Sequence, residues 1–186
     1  MAVVIVGGQT HGVGKTSVVC GLIAAMREME WTAVKISAHG HSETVEVREE
    51  GSAGSGKDSE RYLAAGAMRS YFISAPEGGL WRAIPRLLDA LAESRNAMVE
   101  STSVLEYLRP ELALVVIDPE AGEVKASLQR SLERFHAVVS AGDGSVGSVL
   151  KVLEAKPRFV VRPPEYGSEE LTAFVKESLA EKPNAP

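Results

Sequence analysis

The sequence predicts a doubly wound α/β fold, a mostly parallel sheet with helices on both faces. Three observations carry this expectation. Short β-branched runs alternate with amphipathic helical stretches over the whole length. The first run, "AVVIV" (2–6), ends in two glycines and leads into a helical stretch. A later run, "LALVVID" (112–118), is almost wholly apolar, as a strand covered on both faces must be.

Each element follows from its own residues. After strand 2–6, "TSVVCGLIAAMREM" (16–29) carries apolar side chains at helical spacing, and "TAVKIS" (32–37) reads as a second strand. Segment 38–57 is rich in Gly, Ser, Glu and His and reads as a mobile loop, with "ETVEV" (43–47) as an alternative short ribbon. "DSERYLAAG" (58–66) reads as a helix with an Asp cap and a closing glycine, followed by strand "RSYFIS" (69–74). The stretch 79–94 is amphipathic, and Pro85 either breaks it or sits in its first turn. Strand "NAMVES" (96–101), a short helix "SVLEYLR" (103–109) and strand 112–118 come next. Helix 125–134, strand "HAVVSA" (136–141), helix 145–155, strand "RFVVR" (158–162) and helix 168–181 complete the alternation. No linker divides the chain, so residues 1–182 are expected to form one domain, with 183–186 a frayed tail.

The composition narrows the function classes. Of 186 residues, 45% are hydrophobic and 24% charged, which is ordinary for a soluble globular protein. A net charge of -5 argues against general binding to nucleic acid or an acidic membrane. The single cysteine, Cys20, excludes an intramolecular disulfide and suits a reducing compartment. The start, "MAVVIVGG", has no basic segment and too short an apolar run for a signal peptide or membrane span. A cytoplasmic location is expected.

Two stretches compete as a phosphate-binding loop. "GSAGSGKDS" (51–59) has the spacing of G-x-x-x-x-G-K-[ST] as far as Lys57, but Asp58 stands where a magnesium-holding hydroxyl belongs, and no apolar strand precedes it. "GGQTHGVGKTS" (7–17) has the strand before it, the helix after it, and Gly14-Lys15-Thr16 in register. Gln9 replaces the usual first glycine, and Gly8 stands one residue earlier. Such a loop turns backbone N–H groups and a helix N-terminus toward phosphate oxygens. Lys15 then reaches the terminal phosphates and Thr16 ligates magnesium. The expected nucleotide contacts are Gly8, Thr10, His11, Gly12, Val13, Gly14, Lys15, Thr16 and Ser17.

The lengthened loop resembles that of dethiobiotin synthetases and their relatives, which read approximately G-T-D-T-x-V-G-K-T; Thr10, Val13, Gly14, Lys15 and Thr16 match it. The order of loop, strand with Lys35, histidine-containing "AHGHS" and "GKDSERYLAAGA" (56–67) resembles the molybdopterin-guanine dinucleotide biosynthesis protein B family. Gly56, Lys57, Asp58, Ser59, Arg61, Ala65, Gly66 and Ala67 match its motif G-K-D-S-x-R-x-x-x-A-G-A, and the likeness runs to about residue 118. The family's V-E-G appears here as Val99-Glu100-Ser101. This resemblance implies a P-loop NTPase that binds GTP, usually as a homodimer, and assists attachment of a guanine nucleotide to the molybdenum cofactor. A rival is an ATP-dependent ligase of the dethiobiotin synthetase type. A third reading is a nucleotide-regulated adaptor without turnover. The base, GTP or ATP, stays open.

Further candidates carry two readings each. Glu100 ends a strand beside the loop and reads as a magnesium ligand, the role the family's V-E-G glutamate suggests, or as a solvated strand end. Asp118 ends the next strand and reads as a second metal ligand or as part of a "DPE" turn. With Lys15, Glu100 forms the expected catalytic pair. Lys35, Asp58 and Arg61 are expected near the site, Asp58 alternatively as a helix cap and Arg61 as a surface residue. His39 and His41 are two apart and point the same way on an extended loop. His11 contacts solvent or nucleotide, Cys20 belongs to the core, and Asp143 in "SAGD" stands where a guanine edge is read in GTP-specific switch proteins.

Overall fold

The structure, a computed structural model, describes residues 1–40, 43–53, 56–144, 148–163 and 166–180. The predicted alternation is present. Strands β1 (Ala2–Gly8), β2 (Trp31–Gly40), β3 (Glu46–Glu49), β4 (Arg69–Pro76), β5 (Asn96–Glu100), β6 (Leu112–Ile117), β7 (Ala137–Ser140) and β8 (Arg158–Val160) form one sheet. Its order is β3-β4-β2-β5-β1-β6-β7-β8. Every pair is parallel except β3 with β4. The α-helices are α1 (Lys15–Ala25), α2 (Asp58–Ala65), α3 (Ile84–Leu91), α4 (Ala126–Gln129) and α5 (Glu169–Ala180).

The central strands β1, β5 and β6 are largely apolar because both faces are covered. Along β1, Val4 and Val6 pack on one side with Val18, Leu22, Tyr62, Leu171 and Val175 of α1, α2 and α5. Ile5 points to the other side, with Leu87, Leu91, Val115, Leu128 and Phe135. All these side chains are buried, each removal from water stabilising by about 1.5–3 kcal/mol.

Several elements differ from the sequence reading, each for a local reason. The helix expected over 16–29 stops at Ala25, and a 3-10 turn, Arg27–Met29, follows. The buried Trp31 indole donates to the Met26 carbonyl at 2.9 Å, satisfying a helix-end acceptor and turning the chain into β2. Helix α2 has no side-chain cap: Lys57 is its N-cap residue and Asp58 already lies in the first turn. Its other end is as expected. Gly66 has φ 113, its N–H bonds Leu63, and the Ala67 N–H bonds Tyr62, the Schellman arrangement for which glycine is suited.

Pro85 sits in the first turn of α3, after a separate 3-10 turn, Leu80–Arg82. The stretch 125–134 is helical only as α4 and a 3-10 turn, Leu132–Arg134. Within the expected loop 38–57, β2 runs on to Gly40, and β3 pairs antiparallel with β4. All four β3 residues are exposed, so the strand has no buried face to produce an apolar alternation. Residues 145–147 of the expected helix 145–155 lie outside the described residues, and Ser148–Leu153 form a 3-10 turn. The tail 183–186 also lies outside them.

One close approach ties the C-terminal part to α1. A Cβ at Gly21 would meet the Gly167 nitrogen and the Tyr166 carbonyl carbon, both at 2.8 Å. These are backbone atoms, so Gly21→Ala must lift the 166–167 segment from the helix. The substitution is expected to destabilise the protein by about 1–3 kcal/mol, read as a lowered urea midpoint. An unchanged midpoint would show that the two segments do not touch.

Candidate functional site

The loop between β1 and α1 is shaped by its glycines. Gly12 and Gly14 have φ 76 and 97, conformations that side chains disfavour. A Cβ at Gly8 would lie 2.7 Å from Lys15 Cδ, because the Lys15 stem folds across it. The Lys15 ammonium donates to the Thr10 carbonyl at 3.1 Å, across the loop. The Gly8 N–H donates to Thr102 Oγ1 at 2.9 Å.

Gln9 has a job that the sequence did not reveal. Its side chain is buried. Nε2 donates to the Ala121 carbonyl at 2.7 Å, and Oε1 accepts from the Asp118 N–H at 3.0 Å. The Gln9 carbonyl also accepts from the Lys125 N–H at 3.2 Å. The residue that replaces a glycine therefore pins the segment after β6 against the loop.

Sheet register assembles the centre of the site. Strand β5 lies between β1 and β2, with Glu100 opposite Val6 on one side and Lys35 on the other. Glu100 is only 3% exposed. Its Oε2 accepts from Thr16 Oγ1 at 2.7 Å and from the Tyr62 hydroxyl, and its Oε1 accepts from Lys35 Nζ at 2.9 Å. Lys35 also donates to Asp58. Asp58, Arg61 and Tyr62 share one face of α2, being three and four residues apart. Arg61 pairs with Asp58 at 3.5 Å and donates to Ser17 Oγ at 3.3 Å.

This packing sets the charges. Burial opposes the Lys35 ammonium, but Glu100 and Asp58 outweigh it and raise its pKa above the ordinary lysine value. Burial would raise the Asp58 pKa, yet the Lys35 hydrogen bond prevails and lowers it. Burial lowers the Lys15 pKa; Lys35 adds to that, while Glu100 and Asp58 act against it. The Tyr62 hydroxyl is pushed well above its usual pKa by burial and by Glu100. The Cys20 thiol, half-buried against the core as expected, is pushed up to about 11 by burial.

These side chains border a cleft of about 500 Å³. His11, Gly12, Gly14, Lys15, Thr16 and Ser17 line it from the loop; Lys35, Asp58, Arg61 and Glu100 line it from the sheet and α2. Gly8 and Val13 support the loop from behind: a Cβ at Gly8 would also meet the Val13 side chain, which is itself buried. Other candidates fall elsewhere. The Asp118 carboxylate accepts from the Glu120 N–H at 3.0 Å, closing its own turn, and does not line the cleft. Lys57 is exposed and faces Glu60 at 3.7 Å. Asp143 pairs with Arg162 near the ends of β7 and β8. His41 and the His39 side chain lie outside the described residues. Sequence reasoning passed over Tyr62, although its spacing from Asp58 was a readable signal, and over Lys125, which had none.

Thr16 and Glu100 present hard oxygen donors side by side. Among the described residues no three His, Cys, Asp or Glu side chains gather into a metal-sized group. A few protein oxygens, completed by phosphate and water, is the usual way magnesium is held, so the donor set fits that ion bound together with a nucleotide.

Among the described residues no helix is long and apolar enough to cross a membrane. No protein-family model and no curated protein sequence matches the chain. Solved structures do. HypB from Helicobacter pylori, in complex with nickel, superposes with a TM-score of 0.57 at 16% identity, covering 98% of this chain and 90% of that one. A MobB protein homolog from Bacillus stearothermophilus gives 0.53 at 19% identity, covering 97% and 100%. LpxK from Aquifex aeolicus, in complex with ATP, gives 0.52 at 19% identity, covering 86% and 53%. The chain shares the mostly parallel α/β fold of these structures.

Proposed function

We propose that the cleft binds a magnesium nucleotide, GTP or ATP, and hydrolyses it slowly. The observation that carries this is that Lys15 and Thr16, at the start of α1, line one cleft with the buried Glu100, which accepts a hydrogen bond from Thr16. The loop's N–H groups and Lys15 would hold the phosphates, while Thr16 and Glu100 would hold the ion. That ion would neutralise charge developing on the transferred phosphoryl group. Lys35 keeps the Glu100 and Asp58 carboxylates in place, and Arg61 adds positive charge at the rim.

A thermal-shift panel with GTP, ATP, GDP and ADP, with and without magnesium, tests the reading. Ligands that bind only the folded state raise the melting temperature, so at least one nucleotide should do so by several degrees. No shift with any of the four would overturn it.

The finer role we propose is that of a homodimeric accessory factor in attaching a guanine nucleotide to the molybdenum cofactor. Its support is the G-K-D-S-x-R motif, whose Asp58 and Arg61 line the cleft, together with the fold likeness to the MobB homolog. Phosphate release should then rise when a molybdenum-cofactor guanylylating enzyme is added.

A further inference from the structure

The cleft carries more positive charge than its nucleotide loop accounts for. Lys125 lies between β6 and α4 and lines the cleft together with Ser103 and Ser127. Its backbone is fixed there by the hydrogen bond to Gln9. Among the described residues no carboxylate pairs with its ammonium, whereas Lys35 holds Glu100 and Asp58. Burial lowers the Lys125 pKa to about 8, and the like charges of Lys15 and Lys35 add to the effect against the pull of Glu100. A lysine free to choose would turn its charge to water. Here a half-buried lysine without a carboxylate partner among the described residues lines the same cleft as Lys15 and Lys35, in a chain whose net charge is -5. Such a cluster is relieved by an anion between its members.

We propose that Lys125 is a specificity-determining ligand for an oxyanion bound beyond the diphosphate part of the nucleotide, at the Ser103–Ser127 end of the cleft. The proposal rests on the nucleotide reading above. The oxyanion is either the terminal phosphate of a triphosphate or a phosphate group on a second ligand, and Lys125 offers both the same contact.

Calorimetric titrations of wild type, Lys125→Gln and Lys125→Arg separate these sources. The probes are a nucleoside diphosphate, a non-hydrolysable triphosphate, and inorganic phosphate added to diphosphate-loaded protein. Diphosphate affinity should be the same in all three proteins. If the terminal phosphate is the partner, Lys125→Gln weakens the triphosphate by on the order of tenfold or more. If a second ligand is the partner, the loss appears with inorganic phosphate instead. In either case Lys125→Arg retains most of the affinity. The inference is overturned if Lys125→Gln stays within twofold of wild type for both triphosphate and phosphate, while its unchanged melting temperature shows it folded. Should wild type bind neither the diphosphate nor the triphosphate, the nucleotide reading fails, and inorganic phosphate titrated into the free proteins still decides the role of Lys125.

Discussion

Replacing Lys15 with alanine is expected to abolish nucleotide-induced thermal stabilisation while leaving the free protein folded. In the free protein the Lys15 ammonium donates a hydrogen bond to the Thr10 carbonyl. Its burial already disfavours the charge, so truncation strands no buried partner ion. With nucleotide bound, the same group would lie against the terminal phosphates. A hydrogen bond between charged groups is worth about 1.5–3 kcal/mol, so affinity should drop by roughly tenfold to 100-fold or more. Titration calorimetry showing unchanged affinity would mean that this loop does not hold the phosphates. Lys57→Ala is the matched control: its ammonium is exposed and faces Glu60, so affinity should stay within a few-fold.

Glu100→Gln is expected to reduce turnover far more than binding. The carboxylate accepts from Thr16, Lys35 and Tyr62. An amide of the same shape keeps some of these contacts but loses the charge. Lys15 and the loop amides would still grip the phosphates, so affinity should stay within about tenfold, or about 1.4 kcal/mol. Turnover should fall by more than that, since a magnesium ion held by Thr16 and Glu100, as proposed, would lose its anionic ligand. The neutral side chain also leaves Lys35 with Asp58 alone, so a lower melting temperature is expected alongside. Asp118→Asn should change neither binding nor turnover, because that carboxylate closes its own turn. If Asp118→Asn silenced turnover and Glu100→Gln did not, the ion would have to sit one strand along.

The alternation of strands and helices was legible because both sheet faces are covered, which leaves apolar runs such as 2–6 and 112–118 that no exposed segment produces. Their spatial order was not. Nothing local in 96–100 says that this strand lies between β1 and β2, yet that placement is what sets Glu100 against Lys35. Thr16, Lys35, Asp58, Arg61 and Glu100 could be singled out by motif, whereas their mutual bonding emerges only from the register. Tyr62 was hidden by its type, since an aromatic on a helix reads as core, and it is both core and hydrogen-bond donor. Gln9 read as a flaw in a glycine pattern. Its meaning lies in partners more than a hundred residues away, beyond the reach of any spacing rule, and Lys125 is at the cleft for the same reason.

The two ends of the sheet bear on how copies of the chain can meet. One end is β3, whose Glu46, Arg48 and Glu49 alternate in sign along a fully exposed strand. Arg48 is paired with Glu50, and Glu49 with Arg69. The other end is β8, only three residues long. Short or charged border strands are poor templates for a further strand, since an incoming copy would have to bury those charges or find too few amides to bond. Continuation of the sheet from one molecule into the next is therefore disfavoured at both borders. Self-association of this protein, including the proposed homodimer, is left to helix and loop surfaces. The same charges act as gatekeepers against fibrous stacking when the protein is concentrated.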